Sequence, residues 1–298
     1  MEDLVSVITP AYNAEKYISQ TINSVINQIY DNWEMVIVND GSTDRTEQII
    51  KGYVEKYPDK IFLYSNEKNS GAAVALNEAM KHAKGKYMCW LSADDAYVET
   101  MLSSSVQFLQ EHKEYNAVFS KYANIDENNK LISLGHSQEY VDLIKEMGNL
   151  QPYYRILKYG NAFHGCALFA EREIFQKTGE FDPNFMYAVD YEYWFRMASV
   201  ANIGFLDEFN VLGRIHPGQD SNKGKNEIYA IRAFCHNVRK KEIIQPLLEK
   251  INEEYSIQNI KECFLNRIII YKDFDEELIE ILDGMSNFLK EYKEVKDE

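Results

Sequence analysis

The sequence predicts an α/β protein: one mostly parallel sheet flanked by helices, followed by an all-helical C-terminal extension. Three observations predict it. Over the first 120 residues, short β-branched runs alternate with segments of helical period. Between residues 117 and 215 the pattern is mixed, with a hairpin, buried runs and one long amphipathic helix. After Lys223 the composition turns helical, with few glycines. Strands alternating with helices at this spacing make βαβ units, whose crossovers set neighbouring strands parallel.

Each element has a local reason. Residues 4–9 (LVSVIT) form a β-branched run ended by Pro10, which cannot donate to a ladder. Ile18, Ile22, Val25, Ile26 and Ile29 recur at helical spacing. Residues 35–38 read as a second strand, and 43–57 as a second helix that stops before Pro58. A third strand at 61–64 leads to a helix over 71–83; Gly85 breaks it, and 87–91 (YMCWL) is a fourth, buried strand. Residues 117–135 predict a hairpin turning at DENN. Beyond it lie a short helix at 151–159, a buried strand at 165–170, a helix at 190–201, and strands at Phe205 and 211–215. The helix carries Tyr193, Trp194 and Met197 on its apolar side. Amphipathic segments at 228–238, 243–251, 257–271 and 278–292 make up the extension. The expected domains are therefore 1–222 and 223–298.

Composition narrows the function. A net charge of −15 excludes a nucleic-acid binder, which needs clustered Lys and Arg to neutralise phosphates. An acidic chain that handles a diphosphate needs a cation to offset the repulsion. Cys89, Cys166, Cys235 and Cys263 form no C-x-x-C pair, as expected of reduced thiols in a cytosolic protein. Met1 is followed by acidic residues, and no apolar run approaches the length of about 18 residues that spans a bilayer. The expectation is a soluble, cytoplasmic chain without a transmembrane segment, and peripheral contact with the inner face of the cell membrane is compatible with it.

In a parallel sheet, ligands sit outside the carboxyl ends of the strands. Tyr12, Asn39–Asp40 and Asp94–Asp95 each directly follow a strand. Adjacent carboxylates such as Asp94 and Asp95 repel, and a hard cation or several hydrogen-bond donors relieve them; a helix N-cap is the alternative. In Asn39-Asp40-Gly41-Ser42-Thr43-Asp44, a turn and a cap account for Gly41, Ser42 and Thr43, while Asp40 stands where it can accept the imide N–H of uracil or thymine. Asp190 opens a helix, as a cap or as a general base. Arg214-Ile215-His216-Pro217-Gly218 offers a guanidinium suited to a diphosphate and an imidazole suited to a metal, or is simply a turn.

The segments VSVITPAYN (5–13), Asn39-Asp40-Gly41-Ser42, Asn69-Ser70-Gly71, Ala93-Asp94-Asp95 and Asp190-Tyr191-Glu192-Tyr193-Trp194-Phe195-Arg196, in this order, resemble the family-2 glycosyltransferases of the GT-A fold. The resemblance covers roughly residues 4–217. It implies a Rossmann-like sheet and an inverting enzyme that moves a sugar from a nucleotide-diphosphate sugar, UDP in the first instance, to a hydroxyl of a saccharide, lipid-linked or protein acceptor. Surface polysaccharide or glycoconjugate synthesis is the implied setting, with Mn²⁺ or Mg²⁺ as cofactor. Carried over by position, Pro10, Ala11, Tyr12 and Asn13 lie against the donor base, with Tyr12 stacking on it. Asp40 reads the pyrimidine edge, Asn69 and Gly71 belong to the donor site, Asp94 lies near the ribose, and Asp95 lies on metal and diphosphate. Asp190 is the base, His216 a late metal ligand, and Arg214 a diphosphate contact.

There are departures. Asn39, Ser92 and Val189 stand where members often carry acidic residues, and Leu76 where an Arg often lies beside the donor. The rival expectation is a non-catalytic nucleotide-sugar-binding or regulatory module on the same scaffold. A nucleotidyltransferase would need a Gly-rich basic loop after the first strand, and Pro10-Ala11-Tyr12-Asn13 is not one.

Overall fold

In the computed structural model, which describes residues 2–135, 163–219 and 240–252 with the single positions 153, 156, 233, 236 and 237, the first strands are buried on both faces. β1 (Val5–Ala11) and β2 (Trp33–Asp40) are hydrophobic runs; all eight residues of β2 are buried. Such continuous burial marks a strand covered by helices on either side. β3 (Ile61–Asn66) and β4 (Tyr87–Trp90) complete a parallel unit in the order β3-β2-β1-β4. α1 (Ile18–Ile26), α2 (Thr46–Lys56) and α3 (Ala72–His82) are its crossovers, and α1 buries Ile18, Thr21, Ile22 and Val25 at the predicted period. Ile29 departs from the expected stripe. The helix ends at Ile26, the amide of Ile29 bonds the carbonyl of Glu99, and its side chain is exposed.

Beyond β4 the sheet is mixed. β5 (Ala96–Tyr97) and α4 (Met101–Glu111) precede the hairpin of β6 (Ala117–Ile125) and β7 (Leu131–Leu134). A single 3₁₀ turn (Gly165–Ala167) leads into β8 (Leu168–Glu171), then α5 (Arg172–Thr178), α6 (Val189–Val200) and β9 (Ile203–Arg214). The nine described strands run β3-β2-β1-β4-β8-β6-β9-β5, with β7 beside β6. β8 lies antiparallel to both β4 and β6, so it separates the parallel run β3-β2-β1-β4 from a second parallel pair, β6 with β9. β9 is one strand of 12 residues rather than two pieces. Register shifts around Lys121 let its polar middle, Asp207 and Glu208, turn outward while pairing with β6 resumes. β5 is only two residues long, and its pairing of Ala96 with Leu212 and Tyr97 with Val211 places the Asp94–Asp95 loop beside the end of β9.

α6 is anchored by aromatic residues. Trp194 meets Phe119 and Phe181 edge-on and packs against Trp90, while Phe181 stacks on Tyr193 at 3.8 Å between centroids. Removing a fully buried Trp of this kind costs on the order of 3–5 kcal/mol. On the same helix Arg196 grips Glu192 with two hydrogen bonds of 2.7 and 2.8 Å and the carbonyls of Thr178 and Glu180, tying α6 to the end of α5. Of the predicted extension, α7 (Lys241–Asn252) is described; it packs on α6, and Lys250 Nζ bonds the carbonyls of Ala198 and Ala201. The expected helix at 151–159, apart from Tyr153 and Ile156, and the extension beyond residue 252 lie outside the described residues. No helix among the described residues is long and apolar enough to cross a membrane.

Candidate active site

Two loop clusters meet at the carboxyl end of the sheet. The first joins the loops after β1 and β2. Asn13 adopts a left-handed backbone (φ 47°), which asparagine tolerates, and its side-chain oxygen accepts the amide of Thr43 at 2.8 Å. Its own amide donates to Ser42 Oγ, the Ala14 amide donates to Thr46 Oγ1, and Asp44 accepts from the Glu15 amide and from Thr46. Gly41 (φ 68°) passes so close to the next loop that a Cβ would lie 2.5 Å from the Lys68 carbonyl carbon. Asp40 is buried at the tip of β2. Its carboxylate accepts from Asn66 Nδ2 at 2.7 Å and from the amides of Ser70 and Gly71, which fixes the loop leading into α3. Asn69 closes that loop by accepting the Gly71 amide at 3.0 Å. Pro10 and Ala11 pair with Val38 and Asn39 at the end of β1, and Tyr12 stands exposed beyond them. Leu76, at the position where an arginine was noted as common, is fully buried in the core.

The second cluster brings together Asp94, Asp95, Arg214 and His216. Asp94 and Asp95 part company. Asp95 is 4% exposed; its Oδ1 accepts the Arg214 amide at 2.8 Å and its Oδ2 accepts the Cys166 thiol at 3.3 Å. Asp94 is partly exposed, and its Oδ2 lies 3.0 Å from His216 Nε2. His216 therefore meets Asp94 rather than sharing the expected task with Asp95. Arg214, expected beside a diphosphate, has its own set of contacts. The residue is 1% exposed, and its guanidinium faces inward, onto the carbonyls of Asp94 and Asp126, Asn129 Oδ1 and Gln20 Oε1. With four of its five N–H groups engaged by the chain and its face over Tyr17, it holds these loops together.

Asp190 enters from the far side. Ala188 takes a left-handed backbone (φ 54°) just before α6, and Asp190 sits in the first turn with Oδ1 accepting the Tyr191 amide at 2.8 Å. Gly165 faces it: a Cβ there would lie 3.2 Å from Asp190 Oδ2. His164, just before, is close enough to Asp190 and Asp94 to feel both carboxylates. The 3₁₀ turn, α6 and the Asp94 loop thus converge.

Burial sets the protonation states. It lowers the pKa of the His164 imidazole despite the pull of Asp190 and Asp94, so the ring stays neutral. Burial, followed by the neighbouring Asp94 charge, raises the Asp95 carboxyl well above the usual carboxylate range. Burial also pushes the Cys166 thiol up, which suits a protonated sulfur that donates to Asp95 Oδ2, with Ser92 Oγ 3.4 Å away. The Arg214 guanidinium is taken up by carbonyl and amide oxygens and His164 is neutral, so the Asp94 carboxylate is left to be offset by a cation. Asp94 Oδ2 and His216 Nε2 fit one: two adjacent ligands held about 2.1 Å from a hard ion stand about 3 Å apart, the separation seen here.

Sequence reasoning missed His164, Cys166, Tyr17 and Gln20. The one available signal was His164-Gly165 immediately ahead of a buried strand, the position of a sheet-edge loop.

Comparison with known proteins gives a consistent answer. The family model for Glycosyl transferase family 2 matches residues 6–179. A protein of Rickettsia prowazekii (strain Madrid E), named uncharacterized glycosyltransferase RP339, is 33% identical over 251 residues, 81% of this chain and 74% of its own length. TuaG of Bacillus subtilis (strain 168), provisionally named a teichuronic acid biosynthesis glycosyltransferase, is 46% identical over 108 residues, 36% of this chain and 42% of its own. Among solved structures, S. aureus TarS 1-349 in complex with UDP-GlcNAc superposes with a TM-score of 0.64 at 24% identity, over 83% of this chain and 71% of that one. The mannosyltransferase PcManGT of Pyrobaculum calidifontis, in complex with GDP-Man and Mn²⁺, gives 0.61 at 18% identity, over 97% and 81%. At these identities the two structures establish the shared fold.

Proposed function

This chain belongs to glycosyl transferase family 2, and from that premise we propose that it is an inverting enzyme, transferring a sugar from a UDP-sugar to a hydroxyl acceptor in surface polysaccharide or glycoconjugate synthesis. The observation that carries the reading is the approach of Asp190, from the start of α6, and the Asp94–His216 pair, from the ends of β4 and β9, to the same His164–Gly165 turn.

The acceptor oxygen attacks the anomeric carbon as that carbon's bond to the diphosphate oxygen breaks. The hydroxyl proton passes to the Asp190 carboxylate. A single displacement with the base on the acceptor's side inverts the centre. The Tyr191 amide holds the carboxylate in position, and Gly165 lets the turn pass close to Oδ2. Asp94 and His216 would hold a divalent ion, which when bound offsets the negative charge of the leaving diphosphate. With Leu76 in the core and Arg214 turned inward, this chain leans on that ion for neutralisation more than a member with an arginine would. Tyr12, exposed beyond the end of β1, would stack on the base. The UDP-GlcNAc held by TarS supports a uridine donor, the GDP-Man held by PcManGT keeps guanosine in the test, and the name of TuaG supports a cell-surface polymer as the setting.

Asp190→Asn tests the reading. Transfer falls by about 10³-fold, while binding of UDP with Mn²⁺, measured by calorimetry, stays within about twofold. Transfer within about tenfold of wild type would remove Asp190 from the role of base. A thermal-shift screen with Mn²⁺ across UDP-, dTDP- and GDP-sugars identifies the base; the expected stabilisation is largest for uridine.

A further inference from the structure

One buried cluster takes no part in the transfer chemistry. Asp95, His164 and Cys166 bring a carboxylate oxygen, a ring nitrogen and a thiol sulfur within 4.8 Å of one another. Asp95 Oδ2 is 3.3 Å from Cys166 Sγ and 3.7 Å from His164 Nε2. In a tetrahedral zinc shell, with bonds of about 2.0–2.3 Å, neighbouring donors stand roughly 3.3–3.6 Å apart. The donor set also differs in kind from the Asp94–His216 pair. Sulfur with nitrogen suits a borderline-soft ion, where a carboxylate with phosphate oxygens suits Mg²⁺ or Mn²⁺.

The fold holds these groups in place. Asp95 Oδ1 is fixed by the Arg214 amide, leaving Oδ2 turned to the cluster. The His164 ring lies against Gly213 of β9, where a Cβ would come within 2.6 Å of Nε2, so a side chain is missing where the ring needs room. His164 retains 23% side-chain exposure, which provides a way in, while Asp95 and Cys166 are closed off from solvent. The closed interior and single open side resemble a site with three protein ligands and a water or other small ligand in the fourth position.

We propose that Asp95, His164 and Cys166 form a second cation site, selective for a zinc-class ion and distinct from the Asp94–His216 pair. Binding releases to solvent the Cys166 thiol proton and the proton held on Asp95, and leaves a thiolate and a carboxylate on the metal. Ligation through Nε2 moves the imidazole proton to Nδ1 and gives up the long 3.3 Å contact from the Cys166 amide.

The test uses the metal-free full chain titrated with Co²⁺ as a coloured stand-in for zinc. The expected result is a thiolate-to-cobalt charge-transfer band saturating at one equivalent and reversed by Zn²⁺. Cys166→Ser removes the band; His164→Gln keeps it but weakens cobalt binding at least about tenfold. His216→Ala leaves the band intact while lowering Mn²⁺ affinity, which separates this site from the one used in transfer. Absence of the band in the wild-type chain overturns the proposal, as does a band that survives Cys166→Ser. Should that variant misfold by circular dichroism, His164→Gln decides, and unchanged cobalt affinity there is equally fatal.

Discussion

The loops after β1 and β2 and the loops after β4 and β9 lie at the same edge of one sheet, and both are rich in acidic and amide side chains. They use them in opposite ways. In the first corner Asn13, Asp40 and Asp44 accept backbone amides of neighbouring loops, and Asn69 accepts one from its own loop. In the second, Asp94 faces an imidazole and Asp95 faces a thiol, with Asp190 across the turn. A carboxylate ringed by amide donors builds a wall, because the donors both satisfy and immobilise it. A carboxylate facing another ionisable group keeps its capacity to bind a cation or move a proton. On the proposed reading, the first corner shapes the donor site and the second carries out the transfer.

That contrast predicts which substitutions damage chemistry and which damage stability. Asp94→Asn should lower transfer by about 10²-fold or more and Mn²⁺ affinity by a similar factor, with little change in melting temperature. A normal Mn²⁺ titration would place the ion elsewhere. Gly41→Ala should do the reverse. The added methyl meets backbone 2.5 Å away in a left-handed conformation, so a loss of about 2–3 kcal/mol, read by denaturant unfolding, is expected with turnover per folded molecule nearly intact. Asp40→Asn should cost about 1–3 kcal/mol, since one acceptor oxygen becomes a donor facing amides. If it instead raised KM for a UDP-sugar alone and left the melting temperature unchanged, Asp40 would read the base and the first corner would be more than a wall.

The smallest effect concerns pH. The folded-state pKa of Asp95 is raised, by burial first and by Asp94 second, so the folded chain holds that proton more tightly than the unfolded one. Its contribution to stability is present in acid and lost as pH rises. The melting temperature of the metal-free chain should therefore fall relative to Asp95→Asn between about pH 5 and about pH 8. Parallel curves would show that the proton is not held there.

Much of the scaffold was legible because burial on both faces leaves an unmistakable run, as in β2, and because the aromatic face of α6 repeats at helical spacing. β5 was not, since two residues become a strand only when β9 arrives to pair with them. The division of labour between Asp94 and Asp95 was hidden for the same reason. It is decided by an amide 119 positions from Asp95 along the chain and by a cysteine 71 positions away. Arg214 misled through its chemistry: a guanidinium suits a diphosphate, but it suits inward carbonyls equally well, and only the path of β9 tells which it meets. The place of Asp190 in the first turn of α6 was readable from the helical spacing of the residues that follow it.

Arg214 has one more consequence, for anyone who would re-engineer this chain. Its guanidinium grips the backbone of Asp94 with one edge and the Asp126–Asn129 turn of the β6–β7 hairpin with another. Grafting a foreign hairpin to alter acceptor range would therefore detune the acid loop at a distance, unless the graft brought its own carbonyl and amide to the same two points.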